Sequence, residues 1–316
     1  MKRKNILMII IMMFVFLLTS CKNNKCDIIS TCFAGYDLSR AVAKDKMTTG
    51  MLLKPGQELH DYSPSVADIE KILNAKIFIY IGGESDSEWV ENDILPEIDQ
   101  NKTKVINMME VVKDGGHIYD EEDPSSAEVE SEEDEEEYDE HIWTSITNAK
   151  LILEAISRVI CSLDNDNESY YLHNRDEYYD NLVHLDIDIN DTLSLCEKNL
   201  IIFADRFPLL YFVKEYGIEY DAAFKGCESS KEANPKTIES LTKKVIDNQI
   251  KVIFVIELSE SNIADTIINN CKKSGLVVKK MTFYTMHNVS KDDYSKGTTY
   301  IDFMYKNLES LKEALN

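Results

Sequence analysis

Basic residues are scarce in this 316-residue chain: 34 lysines and arginines stand against 57 aspartates and glutamates, a formal charge of −23. So negative a surface repels phosphate backbones, which excludes nucleic acid as a partner and makes cations better candidates for attraction. The seven cysteines include no C-x-x-C pair, so neither a thiolate zinc knuckle nor a thioredoxin-type redox centre is supported. Of these, Cys26, Cys32, Cys161, Cys196, Cys227 and Cys271 read as small core residues. There is no H-E-x-x-H, no P-loop and no dinucleotide glycine fingerprint. Recognisable enzyme spacing is therefore missing, although triads assembled in space leave no such trace. Global disorder is excluded by the 44% of hydrophobic residues, enough for a sizeable core.

Apolar runs are short as well. The one from Ile6 to Leu18 is too short to span a bilayer, and it follows Lys2, Arg3 and Lys4, the pattern of an export signal over residues 1–20. It ends in Leu18-Thr19-Ser20-Cys21, which resembles a bacterial lipobox, where cleavage frees Cys21 for acylation. The lipid would hold the mature chain on the outer face of the cell membrane. An uncleaved N-terminal anchor is the alternative, and both place the domain outside the cytoplasm.

What remains repeats one grammar twice. Short apolar strand candidates alternate with helical stretches, the signature of parallel α/β sheets. The first set is Asp27–Phe33, Lys46–Leu53, Lys76–Ile81 and Lys104–Met108; the second is Leu200–Ala204, Glu219–Ala223, Lys251–Ile256 and Leu276–Phe283. Ser63-Pro64 predicts a cap and first residue for a helix to Asn74, Asn234-Pro235 predicts the same before Lys236–Asn248, and Gly275 stops a helix over Asn262–Lys273. A further helix is expected over Ala149–Leu163. Between the two sets, roughly Glu168 to Lys198 reads as one long helix with Tyr171, Tyr178, Leu182, Leu185, Ile189, Leu193 and Cys196 in a narrow apolar stripe. Such a helix would tie the lobes together and restrict their relative motion. The expected units are a lobe over 21–163, the linker helix over 164–198 and a second lobe over 199–316. Asp120–Glu140 stands apart, with fourteen acidic residues and no basic one, and reads as a solvated loop; weak cation capture is its functional alternative.

Two segments hold the candidate functional histidines. Lys54-Pro-Gly-Gln-Glu-Leu-His60-Asp-Tyr-Ser-Pro64 is a glycine-bearing turn that delivers a histidine at the carboxyl end of a strand, where α/β folds bind ligands. Asp139-Glu-His141-Ile-Trp143 follows the acidic run. With Gly82-Gly83-Glu84, Trp89, Asn174 and Tyr178, and the closing Gly297-Thr-Thr-Tyr300 to Leu315, these segments resemble the zinc/manganese-binding solute receptors of bacterial ABC importers. The resemblance covers essentially the whole chain after the signal, with Leu59 and Glu140 standing where that family has prolines.

The resemblance implies two Rossmann-like α/β lobes joined by one linker helix, and places His60 and His141 at the first two ligand positions. Its third ligand falls on Arg206, five residues before Tyr211, and arginine cannot bind a metal ion. Its fourth falls near Phe283 and Tyr284, neither an acid, but His287 stands just beyond. The expected set is therefore His60, His141 and His287, closed by Asp205 or by Glu257. Three imidazoles and one carboxylate suit tetrahedral Zn²⁺; more carboxylates would favour Mn²⁺. His173 and His184 lie opposite the apolar stripe and read as solvent-exposed, and His117 as a loop residue able to hand metal inward. The implied function is a monomeric, lipid-anchored receptor that delivers the ion to an ABC permease without chemistry. Rival readings are a surface adhesion or scaffolding lipoprotein that keeps the fold, and a zinc hydrolase with Glu257 as base.

Overall fold

The computed structural model describes residues 26–60, 62–115, 118–119, 138–224, 226, 234–259 and 262–316. Cys21, the signal segment, His117, Cys227 and residues 120–137 of the acidic run lie outside them. Among the described residues are two four-stranded sheets, all parallel. The first holds β1 (Ile28–Ser30), β2 (Thr49–Met51), β3 (Ile77–Tyr80) and β4 (Lys104–Asn107); the second holds β5 (Leu200–Phe203), β6 (Glu219–Ala222), β7 (Val252–Ile256) and β8 (Lys279–Phe283). The spatial orders are β2-β1-β3-β4 and β6-β5-β7-β8, one topology used twice. β1 and β3 are wholly buried, as interior strands covered on both faces must be, and this is why β3 reads as an unbroken apolar run. All eight expected strands are present, each within its expected range.

Helix starts follow local capping chemistry. Pro235 opens the helix Pro235–Asp247 with Asn234 as its cap, as expected. The helix after His60 instead runs from Val66 to Asn74, because Ser65, not Ser63, closes a reciprocal capping box with Asp68. The linking helix is Glu168–Ser194, about 40 Å long at 1.5 Å per residue. It buries Tyr171, Leu182, Leu185 and Ile189 of the expected stripe; Tyr178 and Leu193 are half-buried, and Cys196 lies past its end. His173 and His184 are exposed on it, as expected. Cys32, Cys161 and Cys271 are buried, whereas Cys26 and Cys196 are only half-buried and sit at the edge of the core.

The linking helix packs on Phe33–Ala43 and Ile146–Leu163 from the first lobe and on Tyr300–Leu315 from the second. One apolar core runs through both lobes, from Ile28 and Trp143 to Phe203, Tyr211, Phe283 and Tyr300. A smaller cluster around Ile202, Leu241, Ile253 and Ile267 covers the far face of the second sheet. A buried carboxylate pins the junction of all three bodies. Asp37 pairs with Arg40 at 2.6 Å and accepts from Tyr178 Oη at 2.7 Å and Tyr300 N at 2.8 Å. Arg40 continues to the carbonyls of Gly297 and Thr298.

Candidate metal centre

The parallel sheets aim their carboxyl ends at one region, and the loops that leave β2, β3, β5, β7 and β8 meet there. The β2 exit turns over Lys54–Gln57, with Gly56 at φ +86°, before reaching His60. That loop is bound to the exit of β8: Gly56 N donates to Val289 O at 2.9 Å, and the Asn288 amide donates to the carbonyls of Lys54, at 2.8 Å, and Gln57. His287 is thus drawn toward the loop that carries His60. Met286, just before it, has φ +60°, a left-handed conformation costly for a side-chain-bearing residue and of the kind that clusters at binding sites. His141 comes from a different element, ahead of the short turn Ile142–Thr144, where Trp143 is fully buried and donates from Nε1 to Thr285 O at 2.8 Å.

Three imidazoles converge. One ligand atom each from His60, His141 and His287 lies within 4.8 Å of the others, and the ring centroids are 6.2, 5.5 and 4.4 Å apart. Each ring is anchored through Nδ1 to an oxygen that leads to a carboxylate. His141 meets Asp139 Oδ1 directly at 2.9 Å. His60 meets Ser85 Oγ at 3.0 Å, and Ser85 donates its hydroxyl proton to Glu140 Oε1 and its N–H to Oε2, the latter at 2.8 Å. His287 meets Thr285 Oγ1 at 3.0 Å, and Thr285 donates from Oγ1 and from N to Glu257, each at 2.7 Å. An Nδ1–H donor on each ring fixes the tautomer whose Nε2 carries the lone pair. His60 Nε2 is buried and has no hydrogen-bond partner, a cost that a bound cation would remove.

Burial holds the His60 and His287 rings toward their neutral form. Burial, reinforced by the facing histidines and Arg206, holds His287 well below the usual imidazole range. Burial likewise lowers His60, against the opposing pull of Glu140. Glu257 is pushed up to about 7 by desolvation. Neutral imidazoles backed by carboxylates form a donor set for a borderline-soft dication.

The two acids expected to close the set take other places. Asp205 spends its carboxylate on backbone N–H groups, of Arg206 at 2.9 Å and of Ile256 at 3.4 Å, because it caps the exit of β5. Glu257 stands behind His287, holding Thr285, rather than among the donors. Arg206 pairs with Glu58 at 2.9 Å. Asp139 and Glu140, read from sequence as the end of a solvated run, are each only 4% exposed. Their signal was adjacency: two acids directly before a candidate ligand. Ser85 and Thr285 had no comparable signal, since a hydroxyl one turn away in space leaves no spacing rule. Gly83 also builds the site, since a Cβ there would stand 2.3 Å from Glu140 Cβ.

The profile of the family described as zinc-uptake complex component A, periplasmic, matches residues 28–314. The high-affinity zinc uptake system protein ZnuA of Bacillus subtilis (strain 168) is 28% identical over 304 residues, 93% of this chain and 89% of that protein. The zinc-binding lipoprotein AdcA of Streptococcus pneumoniae (strain R6) is 26% identical over 98% of this chain, which spans only 61% of AdcA. Among solved structures, the metal-dependent lipoprotein YcdH of Bacillus subtilis aligns with a TM-score of 0.73 and 26% identity, over 92% of this chain and all of the other.

Proposed function

The chain belongs to the periplasmic zinc-uptake component A family, and from that membership we propose that it is an extracytoplasmic receptor that captures Zn²⁺ and delivers it to an ABC permease. The observation that carries this reading is the meeting of three imidazoles from residues 60, 141 and 287, each with its Nδ1 tied to a carboxylate. In this proposal Nε2 of His60, His141 and His287 binds the ion. Nitrogens sharing a tetrahedral zinc lie about 3.3 Å apart for bonds of about 2.05 Å, so modest ring rotations bring the present cluster into register.

Three nitrogen donors favour Zn²⁺ over Mn²⁺, which prefers oxygen-rich octahedral surroundings. Asp139, Glu140 and Glu257 stand behind the rings and fix their orientation without occupying coordination positions. A scaffold without cargo has no use for such preorganisation, and Glu257, engaged by Thr285, is poorly placed to act as a hydrolytic base. The proposal extends to an export signal over residues 1–20, acylation of Cys21, a membrane-tethered monomer, lobes over 21–163 and 199–316, and a linker over 164–198.

Calorimetric titration of metal-stripped protein at neutral pH tests it. One zinc ion per chain should bind, with His60→Ala, His141→Ala and His287→Ala each weakening it at least a hundredfold. Binding that survives all three substitutions would remove these residues from the site.

A further inference from the structure

Beside the three imidazoles lies an ion pair that the metal-binding reading does not use. Arg206 follows β5 in the second lobe, and its Nη2 stands 2.9 Å from Oε2 of Glu58, two residues before His60 in the first lobe. The two side chains are 16% and 33% exposed, so the pair is largely withdrawn from water. Burial pushes the Glu58 carboxyl up, but the Arg206 guanidinium outweighs it and holds the group below the ordinary carboxylate range. Arg206, Glu58, Leu59, Asn288 and His287 together line a crevice of about 10 Å³, room for about one water-sized occupant.

The pair spans two walls that are held differently. His60 and His141 belong to the first lobe, and His287 is bound to that lobe through Asn288 on Lys54 and Gln57 and through Phe33 N on His287 O at 3.4 Å. His60 and His141 therefore stand on the first-lobe wall, and His287, carried by the exit of β8 and tied through Thr285 to Glu257 after β7, reaches them from the second lobe. Arg206 and Asp205 form the facing wall, fixed to the second sheet by the Asp205 carboxylate on the N–H of Ile256. Widening the gap between these walls requires separating Arg206 from Glu58.

We propose that the Arg206–Glu58 pair is the latch that retains the ion; the inference rests on the receptor reading above. A guanidinium suits this task because it stays charged at every working pH and offers no lone pair to compete for the metal. Its charge also disfavours entry of a second cation while the first is held.

The test is zinc release from the loaded, full mature protein into excess chromogenic chelator, followed by stopped flow, for wild type, Arg206→Gln, Glu58→Gln and the double variant. Either single substitution should speed release about three- to tenfold, the range for a partly buried pair, and the double variant should be no faster than the faster single. A purely electrostatic role gives opposite signs, with Arg206→Gln slowing release and Glu58→Gln speeding it, and overturns the latch. Wild-type rates in both singles also overturn it. Arg206→Lys keeps the charge but loses the planar fork, and serves if Arg206→Gln fails to fold: faster release supports the latch, and an unchanged rate overturns it. If the wild type binds no zinc, the receptor reading itself fails and the latch with it.

Discussion

At the scale of single residues, the donor atoms matter less than what stands behind them. Asp139 accepts from both the backbone and the ring of His141, so it sets the ring's position and its tautomer together. Asp139→Asn keeps the size but can present an amide donor to Nδ1, favouring the wrong tautomer. Zinc affinity should fall about 10- to 100-fold with the fold intact, as for other outer-shell partners of metal-binding histidines. Competition against a chelator of known affinity measures this, and a wild-type value would mean that His141 is positioned by packing alone. Proton chemistry gives a second expectation. Burial lowers the pKa of both His60 and His287, so in the metal-free protein their midpoints, read by NMR titration, should fall below the ordinary value of about 6.5. Below that pH the unfolded chain binds protons that the folded rings refuse. The contribution of these two groups therefore destabilises the metal-free protein as pH drops through about 6.5 toward their folded values. Midpoints at or above 6.5 would show the rings to be hydrated. Much of this layer was legible in the sequence, because a histidine after a strand is visible as a letter. The backing acids were hidden because Asp139 and Glu140 close a run whose composition reads as solvent-facing.

At the scale of elements, the interior strands Ile77–Tyr80 and Val252–Ile256 were legible because burial on both faces leaves apolar runs, and the half-exposed edge strands were legible from their place in the alternation. The helix Phe33–Ala43 was not. Phe33, Ala34, Gly35, Tyr36, Asp37, Leu38 and Ser39 are all buried, so no solvent face marks a period of 3.6 residues. The start at Ser65 was misread for a related reason: Ser63-Pro64 carries the composition of a helix start, but Asp68 sits at the spacing that selects Ser65. Turns that build the site depend on contacts sequence cannot supply. Gly83 has an ordinary φ, yet a methyl group there collides with Glu140, which holds Ser85 and through it His60. Gly83→Ala should therefore cost about 1–3 kcal/mol of stability and also weaken zinc binding. Gly217 provides the contrast: its φ is +64° with nothing within 4 Å, so Gly217→Ala should cost about 1 kcal/mol of backbone strain while zinc affinity stays unchanged. Paired thermal melts and zinc titrations separate the two, and equal zinc binding in both variants would contradict a role for Gly83 in placing Glu140.

At the scale of the whole molecule, sequence repetition suggested two lobes tied by a connecting helix that restricts their motion, but it did not show the shared core and buried carboxylate that join them. The joint is made by long-range burial. A single apolar core holds Trp143 from one lobe and Phe283 and Tyr300 from the other, with Tyr300 Oη donating to Trp143 O at 2.7 Å. Asp37, only 1% exposed, binds the first lobe, the linking helix and the second lobe at one point. Neither lobe can unfold without exposing the shared core and stranding that carboxylate, so the metal-free protein should melt as one cooperative unit, with calorimetric and van't Hoff enthalpies equal. Asp37→Asn leaves Arg40 largely buried without its counter-charge, a defect of about 3–5 kcal/mol for buried pairs. Because that cost falls on the joint, it should separate the single transition into two as well as lower it. Zinc at a hundredfold excess over its dissociation constant should add about 2.7 kcal/mol to the wild type by mass action. Because His60 and His141 come from the first lobe and His287 follows β8 of the second, zinc should draw the two transitions of the variant back together rather than raise one alone. Two transitions in the wild type would show that the lobes melt independently, and one undivided transition in Asp37→Asn would mean that the shared core and not the buried carboxylate sets the coupling between them.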